Sequence, residues 1–311
     1  MNKTAIKNFA VWARKKLISE ITYKAGLLGI NETGISAPME NSTSTIQFFD
    51  IGTNMPATIT GFDISKRNTL VAQVRRVESE GCSYKDAFNQ VVEEVAYTWF
   101  NRLIAIRFME VNEYLPSKVR VLSSETTGKN EPDIVTNPYD SDMAFTNADM
   151  DLITKLKDEN KLDELFRMLF IKQCNKLNDV LPNLFEKTNH YTELLLSISF
   201  TDTDGVLRHL VNDIDEEDFK EAVEIIGWLY QYYNTEPKAD VFAGLKKNVK
   251  ITKEKIPAAT QLFTPVWIVR YMVENSLGRI AVDKFGAEPV SMGWKYYLKE
   301  ATQTEEVQNQ L

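Results

Sequence analysis

The chain has 311 residues, 43% hydrophobic and 26% charged, with only 13 Gly and 10 Pro. That make-up belongs to a folded protein and excludes disordered, collagen-like and disulfide-scaffold classes. Net charge is −8, with 15 Lys and Arg against 12 Asp and Glu in residues 1–120 and the remaining 21 against 32 in residues 121–311, so no overall basic excess marks a dedicated nucleic-acid clamp.

Ala5 to Leu28 has the spacing of a helix, with Phe9, Trp12, Ala13, Leu17, Ile21 and Leu28 on one side. Residues 29–61 are rich in Gly, Ser, Thr, Asn and Pro and predict a long irregular surface excursion. Asp63 is a candidate cap for a helix to about Glu80, with Arg67, Arg75 and Arg76 on its polar side. Lys85 to Glu113 carries two apolar rows, Val91–Val95–Trp99–Leu103 and Val92–Ala96–Phe100–Ile104–Phe108. A face this wide predicts a core helix, and Pro116 stops it.

Residues 121–148 read as irregular, and Asp149 to Glu186 as one or two helices. Thr201–Gly205 predicts a turn between two short extended pieces. Asp215 is a candidate cap for one helix over Glu216–Asn234, with Phe219, Ala222, Val223, Ile226, Leu229, Tyr230 and Tyr233 as its buried stripe. The expected architecture is mainly α, with strand well below the ~20–25% average. Three regions are expected: 1–120, helical with the 29–61 excursion; 121–250, helical with a short hairpin near 201–205; and 251–311.

The chemistry-bearing residues are few. His190 and His209 are the only histidines, and neither stands at ligand spacing from a cysteine, so no zinc site is expected. Asp202 and Asp204 do not continue into a calcium loop, because the fifth and sixth positions are Val206 and Leu207. Asn137–Pro138–Tyr139 lacks the second proline of an adenine-methyltransferase clamp and reads as a turn. Trp228, Tyr230, Tyr232 and Tyr233 lie among acidic rather than basic neighbours, which favours packing over base stacking. Lys246, Lys247, Lys250, Lys253 and Lys255 form a local basic run. No stretch approaches the ~18 apolar residues of a membrane span. The basic N-terminus lacks the form of a signal peptide, and the unpaired spacing of Cys82 and Cys174 suits a reducing, cytoplasmic setting.

Ala259–Arg279 (ATQLFTPVWIVRYMVENSLGR) places Thr264 as a natural N-cap and Pro265 at the first helical position. The exposed N–H groups and positive dipole end of such a helix suit an anion.

This stretch resembles motif X of the adenine-specific DNA methyltransferases. Together with Ala96–Pro116, Ile225–Glu236, Val241–Lys255 and the tail Trp294–Leu311, it makes the whole chain similar to the methyltransferases of bacteriophage-exclusion (BREX) systems. The resemblance implies a helical N-terminal fragment of an N(6)-adenine DNA methyltransferase, ending before the Rossmann-like catalytic sheet. Residues 251–311 would then begin the methyltransferase domain. It implies S-adenosylmethionine as cofactor, with Gln261, Phe263, Thr264 and Pro265 near its methionine end. It also implies double-stranded DNA as the partner of the full-length protein, with other phage-defence proteins as further partners. No Gly-rich cofactor loop and no Asn-Pro-Pro-Tyr motif occur in the chain, so no catalytic residue is expected in it and the chain alone is expected to be inactive. Arg67, Arg75, Arg76, Lys246, Lys247 and Lys250 are the candidate phosphate contacts. The alternatives are a non-enzymatic interaction module of a defence system and the N-terminal part of a type I restriction modification subunit.

Overall fold

A computed structural model of the chain describes residues 1–185, 191–220, 223–299, 301–302 and 304–308. Among these residues 57% are helical and 4% are in strands, a mainly α protein as the sequence predicts. They fall into two compact units, Met1–Ala259 and Thr260–Leu311. No helix among the described residues is long and apolar enough to cross a membrane.

The first unit is organised by three long helices, α1 (Lys3–Leu27), α2 (Phe62–Ser79) and α3 (Tyr84–Val111). Both apolar rows foreseen on α3 are buried, from Val91 at 1% exposure to Phe108 at 7%. Phe88, Ala105 and Ile106 are buried as well, so the C-terminal half of α3 is enclosed on nearly all sides. Ser83 caps its start by accepting the Asp86 N–H at 3.2 Å. Each fully buried Val, Leu, Ile or Phe in these rows contributes about 1.5–3 kcal/mol over the exposed state. Helix α1 lays Ile6, Phe9, Ala13, Leu17 and Ile21 into the same core and packs on α3.

The 29–61 excursion is more ordered than its composition predicts. It holds two antiparallel hairpins, β1 (Ile30–Asn31) with β2 (Gly34–Ile35), and β3 (Ile46–Phe49) with β4 (Ala57–Thr60). Phe49 is fully buried, and Gly29 has φ +68° with room for no side chain, since a Cβ there would sit 2.9 Å from the Phe49 ring. Arg67 lies on the interior side of α2, not on its polar side. Its guanidinium covers the Phe49 ring at 4.2 Å and donates to the Leu28 and Ser36 carbonyls at 2.7 and 2.8 Å. An arginine can face inward when backbone carbonyls and an aromatic face replace its water. Gly61, not Asp63, is the residue before α2, and no side chain caps that helix. Asp63 instead places its charge in the first turn, where the helix dipole favours it.

Residues 121–148 are irregular as predicted, apart from α4 (Asp133–Thr136) and a 3-10 turn over Pro138–Asp140. They are followed by α5 (Asn147–Asp158) and α6 (Leu162–Leu177). After α7 (Tyr191–Leu194), no hairpin forms near 201–205. Asp163 on α6 accepts the Phe200 and Thr201 N–H groups, and Ser199 accepts that of Asp202. The loop backbone is thus satisfied by side chains instead of a strand partner, and Val206, Leu207 and Leu210 bury one side of α8 (Val206–Asn212).

The predicted single helix over 216–234 is divided into α9 (Glu216–Phe219) and α10 (Glu224–Tyr233), because Lys220 is extended with ψ 124°. That break rotates the buried stripe to Ile225, Leu229 and Tyr233, leaving Val223 and Tyr230 exposed; Ala222 lies outside the described residues. Trp228 stacks on Tyr232 at 5.7 Å. Helices α11 (Thr235–Leu245) and α12 (Ile256–Thr260) complete the series. His209 lies against the Trp12 ring at 4.1 Å with Nδ1 2.7 Å from Asp213. His190 lies outside the described residues.

A charged cluster closes the C-terminal end of α3. Arg107 donates to Glu110 Oε1 at 2.7 Å, Ser123 Oγ at 3.0 Å and Glu216 Oε1 at 3.1 Å. Glu110 Oε2 accepts the N–H groups of Val121 and Leu122 at 2.9 and 2.8 Å. Arg120 completes the group on Glu216. Burial pushes the Glu216 carboxyl up, yet the hydrogen bond from Arg120 and the charges of both arginines outweigh it and hold the group below the usual carboxylate range.

Two outcomes are expected. Glu110→Ala removes the buried partner of the Arg107 guanidinium, leaving it Ser123 and the half-exposed Glu216, and strands two backbone N–H groups. It should cost about 3–5 kcal/mol in urea unfolding, far more than Ala at the exposed Arg75–Glu78 pair. Asp149 closes a capping box with Thr146 and accepts from Lys172 at 2.9 Å. The Lys172 hydrogen bond, followed by the Thr146 backbone bond, holds its pKa down at about 2. A depressed carboxylate stabilises the fold above its ordinary pKa of about 3.9 and loses that contribution as pH falls toward 2. Asp149→Asn should therefore flatten the acid limb of the stability curve between those values, as read by urea midpoints.

Candidate functional site

The sequence nominates the Gln261–Pro265 corner and a set of basic side chains. The corner opens the second unit, which consists of α13 (Val266–Glu274), α14 (Leu277–Phe285), a tail, and α15 (Glu305–Gln308). Pro265 is the residue before the first helical position, with φ −56° and ψ 141°, and its carbonyl accepts the Ile268 and Val269 N–H groups at 2.9 and 3.3 Å. Thr264 is therefore one residue too early to cap, and no side chain caps α13. The extended ψ of Pro265 carries the chain out of the helix before Thr264 is reached. The helix N-terminus is left open, with its first-turn N–H groups lacking intrahelical acceptors. Thr264 is exposed beside it, while Gln261 and Phe263 are half-buried. Such an end suits a carboxylate, through backbone donors and the helix dipole. It fits the charged methionine end of S-adenosylmethionine; the described residues of the corner supply no cradle for a ribose or a purine.

The tail is fastened to α13 and α14 by residues that sequence reasoning missed. The Asn275 side chain donates to the Tyr296 carbonyl at 2.7 Å and accepts the Leu298 N–H at 2.8 Å. Buried Glu274 accepts the Tyr296 N–H, and Trp294 lies on Gly278, where an added Cβ would meet its ring at 3.1 Å. One side-chain amide thus pairs with alternate backbone groups of an extended segment, as a neighbouring strand would. The only signal in the sequence is the polar and small run Glu274–Asn275–Ser276, followed by Gly278, inside an apolar stripe.

The basic candidates separate into three groups. Arg67 is committed to the interior and is not an accessible phosphate contact in this fold. Arg75 and Arg76 are exposed on the last turns of α2 and pair with Glu78 and Glu80 at 2.7 and 2.8 Å. Pairs of this kind contribute about 0.2–1 kcal/mol, so a phosphate can displace the carboxylates. Lys246, Lys247 and Lys250 follow α11, exposed, with no carboxylate at ion-pair distance among the described residues. The Asn137–Pro138–Tyr139 segment is a turn, with Pro138 opening the 3-10 helix and Tyr139 edge-on to Phe145 at 5.5 Å. Among the described residues no group of three or more His, Cys, Asp or Glu is placed to hold a metal ion.

No protein-family model matches the chain. It is 45% identical, over 98% of its length, to the adenine-specific methyltransferase PglX of Lacticaseibacillus casei (strain Zhang), and covers 26% of that protein. It is 37% identical over 100% of its length to the adenine-specific methyltransferase BrxX of Escherichia coli O9:H4 (strain HS), and covers 24% of it. The chain is thus similar along its whole length to these two methyltransferases and spans about a quarter of theirs.

Since Thr264 makes no cap, Thr264→Ala should leave thermal stability within about 0.5 kcal/mol of the parent. Asn275→Ala should instead remove hydrogen-exchange protection from the Leu298 amide, whose acceptor is the Asn275 side chain, while leaving the α3 amides protected.

Proposed function

We propose that this chain is the N-terminal part of a site-specific N(6)-adenine DNA methyltransferase that uses S-adenosylmethionine and serves bacterial defence against phage. The observation that carries the reading is the similarity along the whole chain to PglX and BrxX. The open N-terminus of α13 supports it from the geometry.

On this reading the chain's own residues bind and position; they carry no bond-making step. The first-turn N–H groups of α13, held by the rigid Pro265 turn, receive the carboxylate of the methionine end, and Thr264, Gln261 and Phe263 border it. When bound, the cofactor supplies a methyl group on sulfur for the exocyclic amine of an adenine, and a base reacting in this way must leave the duplex stack. Lys246, Lys247 and Lys250, with Arg75 and Arg76 once freed from their carboxylates, contact backbone phosphates. The residues that hold the adenine and the ribose belong to the remaining length of the parent enzyme. Other phage-defence proteins are further partners on this reading, and the compartment is the cytoplasm.

Methyl transfer from radiolabelled S-adenosylmethionine to duplex DNA tests this. A full-length methyltransferase beginning with this chain should label adenine, and residues 1–311 alone should not. In the full-length enzyme, Pro265→Gly should loosen the corner and raise the cofactor Kd several-fold, while Asn137→Ala should change neither binding nor turnover. Labelling by residues 1–311 alone, or normal cofactor affinity in the Pro265 variant, would refute the assignment of roles.

A further inference from the structure

A small basic cleft lies in the first unit, between α8 and the 122–130 segment. The cleft there has a volume of about 30 Å³ and is lined by Leu122, Ser123, Lys129, Phe200, Arg208 and Asn212 among others. Leu122 and Phe200 are buried and make an apolar wall.

Arg208 is the member that carries the charge into the cleft wall. Its Nε is buried and has no hydrogen-bond partner, and no carboxylate among the described residues lies at ion-pair distance from its guanidinium. Arg14, Arg75, Arg76, Arg107 and Arg120 each contact a carboxylate, and Arg67 and Arg167 instead reach backbone carbonyls. The acidic side chains nearest in sequence are committed elsewhere, Asp204 to Lys16 and Asp213 to His209. Lys129 contributes a second positive charge; its Nζ bonds Thr136 and lies 3.8 Å from Asp133. Asp133 in turn accepts from Ser124 and from the Glu125 N–H. The Ser123 hydroxyl is held by Glu110 and Arg107, which leaves Arg208 as the charged donor of the cleft without a carboxylate, beside the amides of Asn130 and Asn212.

A buried N–H without an acceptor is unfavourable, and native structures rarely tolerate one. A guanidinium presents a planar fork of donors that matches phosphate oxygens in pairs. The cleft is too small for a nucleoside but admits the oxygens of a group that remains partly outside.

We propose that this cleft binds a phosphate group, with the Arg208 guanidinium as its main ligand and Lys129 as the supporting charge. The shared chemistry is a phosphate oxyanion, supplied by a nucleic-acid backbone or by free phosphate. The proposal stands independently of the methyltransferase reading.

The test uses the whole 311-residue chain. The Nε–H resonance of Arg208 is identified in a ¹⁵N-edited spectrum by its loss in Arg208→Lys, and is followed during titration with inorganic phosphate and with a short DNA duplex. Saturable movement of that resonance is expected, together with at least a tenfold weaker affinity in Arg208→Gln and an intermediate affinity in Arg208→Lys. Unchanged circular dichroism keeps the comparison free of misfolding. Movement with the duplex, and a salt dependence of duplex affinity made shallower by about one phosphate contact in Arg208→Gln, identifies a nucleic-acid backbone as the source. Movement with inorganic phosphate alone identifies the free ion. A resonance that neither ligand moves, or equal affinities in parent and Arg208→Gln, overturns the proposal.

Discussion

The buried ion pair of Arg107 and Glu110 is the constraint on which the first unit depends. Both side chains are fully removed from solvent at the end of a helix otherwise lined with Val, Ile, Leu, Phe and Trp. Charges in such a place must be paired and hydrogen-bonded to persist. Glu110 meets that requirement by taking two backbone N–H groups from Val121 and Leu122; Arg107 reaches Ser123 and Glu216 through its two terminal nitrogens, while its buried Nε makes no hydrogen bond. The same bonds fix the irregular chain after α3 and anchor the start of α9. An unpatterned segment thereby acquires one position, and one wall of the Arg208 cleft is set by it.

The second unit is held differently. Leu262, Trp267, Met272, Leu277, Phe285 and Val290 are all more than half exposed, so apolar burial contributes little there. Directed contacts do the holding: the Asn275 amide on the tail backbone, Glu274 on Tyr296, and Trp294 on Gly278. Interactions of this sort fix a register without supplying much stability.

The candidate surfaces follow the same division. A helix start that no side chain caps is an exposed set of donors, and it lies where the resemblance places the cofactor. Cations on surfaces differ by what they already touch. Arg75 and Arg76 must exchange a carboxylate for a phosphate, Lys246, Lys247 and Lys250 need exchange nothing, and Arg67 would have to abandon two carbonyls.

The sequence by itself determined the mainly helical class, the existence of α1, α3, α5 and α6, and the likeness to PglX and BrxX. Apolar rows at i, i+4 and a similarity carried along the whole chain are local properties of the string. Tertiary structure alone decided which way side chains of ambiguous character turn. Arg67 reads as polar until Phe49 and two carbonyls receive it, and composition hid that buried phenylalanine inside an excursion that folds into hairpins. The 201–205 turn leads into a helix because Asp163, far away in sequence, satisfies its backbone. Lys220 breaks the predicted helix, and the stripe then turns to Ile225. Thr264 and Pro265 announced a helix start correctly, but which of them stands at the cap depends on one ψ angle. The Arg208 cleft and the Asn275 strap were illegible for the same reason: each joins segments remote in sequence, and no spacing along the chain encodes a distance across it.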